Sequence, residues 1–251
     1  MQEVDFEIQL PDIDSARNLT IQEEYFWLIQ NGTKRKVRLH DYEDLYKIPY
    51  LYEQAYLKVN NQSHIVLPSL LVEQFTQAGG RVEDMAVLDI GAGSGWVGQT
   101  LAGLGVKSIV GIDIVPEAAQ AAHLQYPGVY KNYYVEDLTN LSNTTQEELN
   151  SHRFNCLICN VALGFNHIPS QGWATAFNSV IPDAWVAFNV QKERWDDNTS
   201  ASFMAWHPWV AKTDIFEIFE THEYQHRFHF DGRPLYYVAV IGKKRANIPG
   251  S

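Results

Sequence analysis

The run Val87-Leu88-Asp89-Ile90-Gly91-Ala92-Gly93-Ser94-Gly95-Trp96-Val97-Gly98 constrains this chain more than any other part of it. It opens as an apolar stretch with an acid near its end and passes through three glycines spaced by one residue. It then becomes a helical pattern, with Val97, Leu101 and Leu104 on one stripe. Strand, glycine turn and helix in that order open a nucleotide-binding α/β unit. Glycines allow the sharp turn and leave backbone amides open to a ligand at the positive end of a helix. A glycine turn alone does not establish a ligand, so the rest of the chain has to be weighed with it.

From Met85 onward, strand and helix patterns alternate. Strands are predicted over 85–90, 108–113, 129–135, 154–159 and 184–190. Helices are predicted over 95–104, from Pro116 to Leu124 and over 173–180. Two long strands, 215–230 and 235–241, close the chain as a hairpin around Asp231-Gly232-Arg233. Such alternation implies a doubly wound, mainly parallel sheet with ligands outside the carboxyl ends of its strands.

The first third reads differently. Residues 1–20 look like an extended arm, and Asn31-Gly32 joins two β-favouring runs as a hairpin. Tyrosines then recur at helical spacing on either side of Pro49, and Pro68 is predicted to open a helix running to Gln77. Residues 1–80 are thus expected to be a hairpin and helical cap rather than an independent domain, with 81–251 as the core. The aromatic segment 191–212 is expected to form a flap.

Composition narrows the partners. With 251 residues the chain suffices for one sizeable α/β domain. A formal net charge of −11 repels phosphate backbones and anionic lipid, so neither nucleic acid nor a membrane surface is expected as a partner. No apolar run reaches the roughly 20 residues of a membrane span, and the acidic start lacks a signal-peptide pattern, so a cytoplasmic location is expected. The Cys156–Cys159 spacing suggests redox or zinc chemistry, but on a strand these two side chains face opposite sides, which makes them packing residues. His222 and His226 share a strand face without further ligands, so no metal is expected.

Acids or amides stand at the ends of four successive strands: Asp89, Asp113, Asp137 and Asn160. Asp113 lies 24 positions after Asp89, close to the usual gap between a glycine turn and a ribose-binding acid. Its carboxylate can accept from both ribose hydroxyls, and Asp137 can accept from an adenine amino group. Three such acids in register with a glycine turn point to a nucleoside-containing cofactor.

With these residues in place, the chain resembles the class I S-adenosylmethionine-dependent methyltransferases, in their small-molecule branch. The resemblance is carried by Asp89-Ile90-Gly91-Ala92-Gly93-Ser94-Gly95, by Gly111-Ile112-Asp113-Ile114, by Glu136-Asp137-Leu138 and by 154–160, and it covers about residues 70–242. It implies a seven-stranded mixed sheet of Rossmann-like type whose last strand is antiparallel. It also implies S-adenosylmethionine as cofactor and S-adenosylhomocysteine as product. Asp89 would order the glycine loop, and Gly91, Ala92, Gly93 and Gly95 would pass along the methionine part. Asp113 would hold the ribose, Ile114 would flank adenine, and Glu136, Asp137, Leu138 and Asn160 would complete the cofactor set. The sequence departs from the family at Asn155, where Asp is common.

Methyl transfer requires alignment of nucleophile and methyl carbon, exclusion of water and, for some acceptors, removal of a proton. His167, in the loop after the fourth core strand, is the first candidate base, and His40 in the cap is the second. Tyr42, Tyr50 and Phe165 are the candidate substrate contacts. The expected acceptor is a small molecule or biosynthetic intermediate, free or carried on a protein or peptide, with oxygen preferred to nitrogen. A nicotinamide-dependent oxidoreductase competes, since Gly93 to Gly98 also fits G-x-G-x-x-G. So does a non-catalytic protein that binds S-adenosylmethionine.

Overall fold

The computed structural model describes residues 5–163, 167–199 and 202–249. Its centre is a seven-stranded sheet built from β4 (Ala86–Ile90), β5 (Ser108–Asp113), β6 (Asn132–Val135), β7 (Cys156–Cys159), β8 (Trp185–Gln191), β9 (Phe216–Phe228) and β10 (Pro234–Lys244). The strand order is β6-β5-β4-β7-β8-β10-β9. The five strands from β6 to β8 are parallel, and β10 runs antiparallel between β8 and β9. The doubly wound mixed sheet expected from the alternation is therefore the observed fold.

Side chains of the central strands alternate between two cores. Leu88, Ile90, Val110 and Leu157 face one layer, where α7 (Asn143–Ser151) and α8 (Ser170–Asn178) supply Leu149, Trp173 and Phe177. Val87, Ile109 and Ile158 face the other, against α4 (Ser63–Gln77) and α5 (Trp96–Gly103). Cys156 and Cys159 fall in different layers, both fully buried and both free, with their thiols pushed up by desolvation. They are packing residues, as the strand geometry requires.

The N-terminal region forms a three-stranded sheet of β1 (Glu7–Gln9), β2 (Tyr25–Gln30) and β3 (Thr33–Arg38), with short helices α1 (Ile13–Ala16), α2 (Tyr42–Tyr46) and α3 (Leu51–Leu57). Asn31 and Gly32, at φ 51° and 72°, make the hairpin turn read from their dipeptide. The arm is not featureless, because Glu7–Gln9 pairs with Trp27–Ile29. Phe26, Leu28, Leu45, Leu51 and Tyr56 make this region a third core, which Phe230 from the terminal hairpin completes.

Three boundaries differ from the sequence reading. Pro68 does not open α4 but sits inside it: Ile65 and Val66 already donate to the Gln62 carbonyl, so the helix starts a turn and a half earlier and forgoes one bond at the proline. α4 also packs on α5, β8 and β10, which places it with the core helices. β6 begins at Asn132 rather than 129, and α7 arises in a polar stretch where Ser142 caps the helix by accepting from Thr145 N. Between β8 and β9, α9 (Lys192–Asp196), α10 (Phe203–Trp206) and a turn at Pro208–Ala211 form the flap, whose Trp209 stacks on Trp173 at 5.1 Å.

Buried polar ties join the cap to the sheet. Glu24 accepts from Arg227 Nη2 at 2.5 Å, from His229 Nδ1 at 3.0 Å and from Phe230 N at 3.1 Å. Gln62 N donates to His226 O, and Phe228 N donates to Val59 O, both at 2.8 Å. Glu24→Gln leaves the Arg227 charge buried without a counter-ion, and the expected loss is about 3 kcal/mol or more of unfolding free energy. The exposed Glu43→Gln should change stability by less than about 0.5 kcal/mol. Urea titrations of the two variants beside the parent measure both, and equal small effects would show that the ion pair does not anchor the cap.

Candidate active site

A cleft of about 390 Å3 opens at the carboxyl ends of the parallel strands. Its floor carries Gly91, Asp113, Ile114, Glu136, Asp137, Leu138 and Asn160; Tyr42, Tyr46, Tyr52 and Tyr56 of the cap roof it; His167, Ile168 and Pro169 stand at one side. The strands deliver these residues because parallel neighbours end at the same edge, and the strand order reverses between β4 and β7. A smaller chamber of about 40 Å3 adjoins it, sharing the walls Tyr46, Tyr52, Tyr56, Gly91, Asn160 and Val161.

Asp113 holds two separate backbone segments. One oxygen accepts from Gly93 N at 2.9 Å and the other from Val115 N at 3.0 Å. Desolvation raises its pKa, and these two amides oppose the rise. Ile114 beside it is 61% exposed, an apolar face open to the cleft. Asp137 turns back on Thr139, accepting from N at 2.8 Å and Oγ1 at 2.7 Å, which lowers its pKa. Glu136 accepts from Ser142 and Thr145, and Leu138 is buried at the wall.

The glycine loop is satisfied internally. Gly91 N and Ala92 N donate to Ile112 O, Gly93 N donates to Asp113, and Gly95 N donates to Ala92 O. Gly93, at φ 55°, has the Tyr46 hydroxyl 2.7 Å from where a Cβ would lie. Gly95 faces away from the cleft, and a Cβ there would meet Tyr130 at 3.0 Å. Gly98 and Gly111 also make room for the Tyr130 ring, whose hydroxyl donates to Asp89 at 2.7 Å. Asp89 thus lies beneath the loop, fully buried, and lines neither cavity. Ser94 donates to Glu53 Oε1 of α3 at 2.5 Å, a second tie between cap and loop.

The two candidate bases meet. His40 and His167 have nearly parallel rings with centroids 6.3 Å apart, and Tyr42 lies 5.7 Å from each. Burial lowers both pKa values, that of His40 to about 4 with Arg227 adding to the effect. Both imidazoles are neutral at pH 7, and His40 Nδ1 is buried without a hydrogen-bond partner among the described residues. Tyr50 stands elsewhere, with its hydroxyl donating to Gln125 O at 3.3 Å on α6 (Pro116–Gln125). Phe165 lies outside the described residues. Among the described residues no cluster of His, Cys, Asp or Glu could hold a metal, and no helix is long and apolar enough to cross a membrane.

Sequence reasoning passed over Tyr46, one helical turn after Tyr42, Tyr52, on a separate helix beyond Pro49, and Asn189. A lone amide inside the apolar run Ala184–Val190 was the available signal, because a buried amide needs partners. Asn189 Oδ1 accepts from Val161 N at 2.6 Å, and Nδ2 donates to Asn160 Oδ1 at 2.8 Å. Val161 adopts φ 63°, a left-handed conformation that a β-branched residue takes only under constraint.

A family model described as a methyltransferase domain matches residues 66–232. The chain belongs to this methyltransferase family. The match spans β4 through β9 and decides against the oxidoreductase reading of the glycine run. Solved structures share the fold at low identity. Magnesium protoporphyrin IX methyltransferase from Synechocystis PCC 6803, with bound S-adenosylmethionine, is 17% identical, covering 72% of this chain and 80% of its own at a TM-score of 0.50. The N-methyltransferase NodS from Bradyrhizobium japonicum WM9, in complex with S-adenosylhomocysteine, is 12% identical over 74% and 90% at 0.51. A putative RNA methyltransferase from Pyrococcus horikoshii is 15% identical over 77% and 97% at 0.51. No curated protein sequence matches the chain.

Burial lifts the Asp89 pKa to about 7, with Tyr130 opposing the rise and Asp113 adding to it. An acid whose folded pKa exceeds its unfolded one destabilises the fold as pH climbs from about 4 to 7, and the cost is complete above that. Asp89→Asn keeps an acceptor for Tyr130 and removes the charge. Relative to the parent, its unfolding free energy should therefore be about 2.5 kcal/mol higher, that is more stable, at pH 8 than at pH 5. Urea titrations at the two pH values measure this, and no difference between them would refute it.

Proposed function

We propose that this methyltransferase moves the methyl group of S-adenosylmethionine to an oxygen of a small molecule. What carries the reading is that Asp113, Ile114, Glu136, Asp137, Leu138 and Asn160, from successive strand ends, gather with Gly91 around one cleft under an aromatic roof. Asp113 has lone pairs left after its two amide bonds, and these can accept from the ribose hydroxyls. Ile114 and Leu138 offer apolar surface to the adenine, and Asp137 an acceptor to its amino group. The tyrosine faces suit a cationic sulfonium better than the neutral thioether that remains after transfer.

In this reading His167 takes the acceptor's proton. Its imidazole is already neutral and it lines the cleft, with part of the ring open to solvent through which the proton can leave. His40 and Tyr42 flank that ring and position it. A small acceptor is favoured because the roof of tyrosines leaves a cleft of only about 390 Å3 for both reactants.

Two substitutions separate donor binding from chemistry. Asp113→Ala should weaken S-adenosylhomocysteine binding by about two orders of magnitude, the worth of a pair of charge-assisted bonds. His167→Ala should bind that product within about twofold of the parent and slow methyl transfer by about 10²-fold or more. Calorimetry reads the first. The second is read with radiolabelled methyl donor against a panel of phenolic, carboxylic and amine acceptors, in which labelling of amines alone would move the acceptor atom to nitrogen. Undiminished binding by Asp113→Ala would overturn the donor assignment.

A further inference from the structure

A buried chain of hydrogen bonds runs from the strained turn after β7 to the small chamber, and the direction of every bond in it can be worked out. Val161 N–H can only donate, so Asn189 must offer Oδ1 to it. Asn189 Nδ2 is then the donor to Asn160 Oδ1 and to the Tyr224 hydroxyl, both at 2.8 Å. Having accepted there, Tyr224 has its own proton to place, and its one remaining partner among the described residues is Ser63 Oγ at 2.6 Å. Ser63 Oγ in turn lies 2.6 Å from His226 Nδ1. If Ser63 donated to Tyr224, a phenolic proton would be buried without an acceptor, which is costly. Ser63 therefore donates to His226, and Nδ1 is an acceptor.

Two consequences meet in the same place. His226 is 2% exposed and neutral, since burial and the adjoining Arg227 hold its pKa well below the usual range. With Nδ1 accepting, its single proton is on Nε2. Asn160, whose oxygen is tied back to Asn189, has only its NH2 left to present. Neither His226 Nε2 nor Asn160 Nδ2 has a hydrogen-bond partner among the described residues, and both residues line the small chamber. Asp113, Glu136 and Asp137 line the main cleft, but among the described residues no acid lines the chamber. One end of the site is furnished with acceptors and the other with donors.

We infer that the chamber receives the carboxylate of the methyl donor's amino-acid end, with His226 Nε2–H and Asn160 Nδ2 as its donors. This rests on the donor assignment above. It makes His226 and Asn160 binding residues, and Asn189, Tyr224 and Ser63 positioning residues that set which atoms those two present. The edge strand β9 thereby takes part in cofactor recognition from the far side of the sheet order.

The test compares S-adenosylhomocysteine with its decarboxylated analogue, which keeps the adenosine, the thioether and the amine. In the parent, the intact compound should bind at least about 10-fold tighter, as expected for hydrogen bonds to a charged group. His226→Phe should remove most of that advantage while leaving affinity for the analogue within about twofold. Equal loss for both ligands, or no loss for either, would overturn the proposal. Nitrogen-15 NMR of the imidazole in the unliganded parent supplies a reading that no substitution can disturb. The Nε2–H tautomer is expected for His226, and the Nδ1–H tautomer would overturn the proposal. If the parent binds neither compound, the donor assignment itself fails, which is a different result from binding both equally well.

Discussion

The carboxylate of Asp113 is the joint on which the site turns. It stands at the end of β5 and holds Gly93 N with one oxygen and Val115 N with the other. The glycine loop and the start of α6 are thereby fixed to the same side chain. Burial opposes ionisation at this position and the two amides favour it. A group that organises the backbone and also faces the cleft gives a site shaped before any ligand arrives, and pre-organisation of that kind reduces the entropy lost on binding.

Around this joint the protein keeps its imidazoles and phenols uncharged. His40, His64, His167 and His226 all have lowered pKa values, and Tyr42, Tyr46, Tyr52 and Tyr56 raised ones, with desolvation the first cause in every case. A roof of neutral rings presents polarisable faces to the cleft, while the carboxylates stand on its floor. The roof is fastened at particular points rather than by area alone: Glu24 to Arg227, Glu53 to Ser94 and Tyr50 to Gln125. Two of those fastenings join cap residues to the glycine loop and to the helix after β5, so cap and cofactor edge are set relative to each other.

Much of the core was legible from one dimension. Alternating strands and helices, the acids at strand ends and the closing hairpin are local patterns, and each reports a burial periodicity or a turn conformation. The opposite facing of Cys156 and Cys159 follows from the pleat alone. What escaped depends on residues far apart in the chain. Nothing near Tyr50 shows that it docks on Gln125, and nothing near Ser94 shows that Glu53 waits 41 positions earlier. Pro68 reads as a helix start because its missing N–H is harmless there, yet tertiary packing of Leu67, Leu71 and Phe75 sustains a helix through it. The helix at 143–151 was invisible because its sequence is polar, and its cap and the single buried Leu149 stabilise it in place of an apolar stripe.

The ring of Tyr130 occupies the room left by the bare α-carbons of Gly95, Gly98 and Gly111. Half of the apparent nucleotide signature is therefore a receptacle for a phenol, and that phenol is the partner of Asp89. A methyl group at Gly98 or Gly111 would force the ring to shift and disturb its bond to the acid beneath it. The receptacle and its occupant therefore constrain each other sterically, and a count of motif glycines includes some that serve a phenol instead of a ligand.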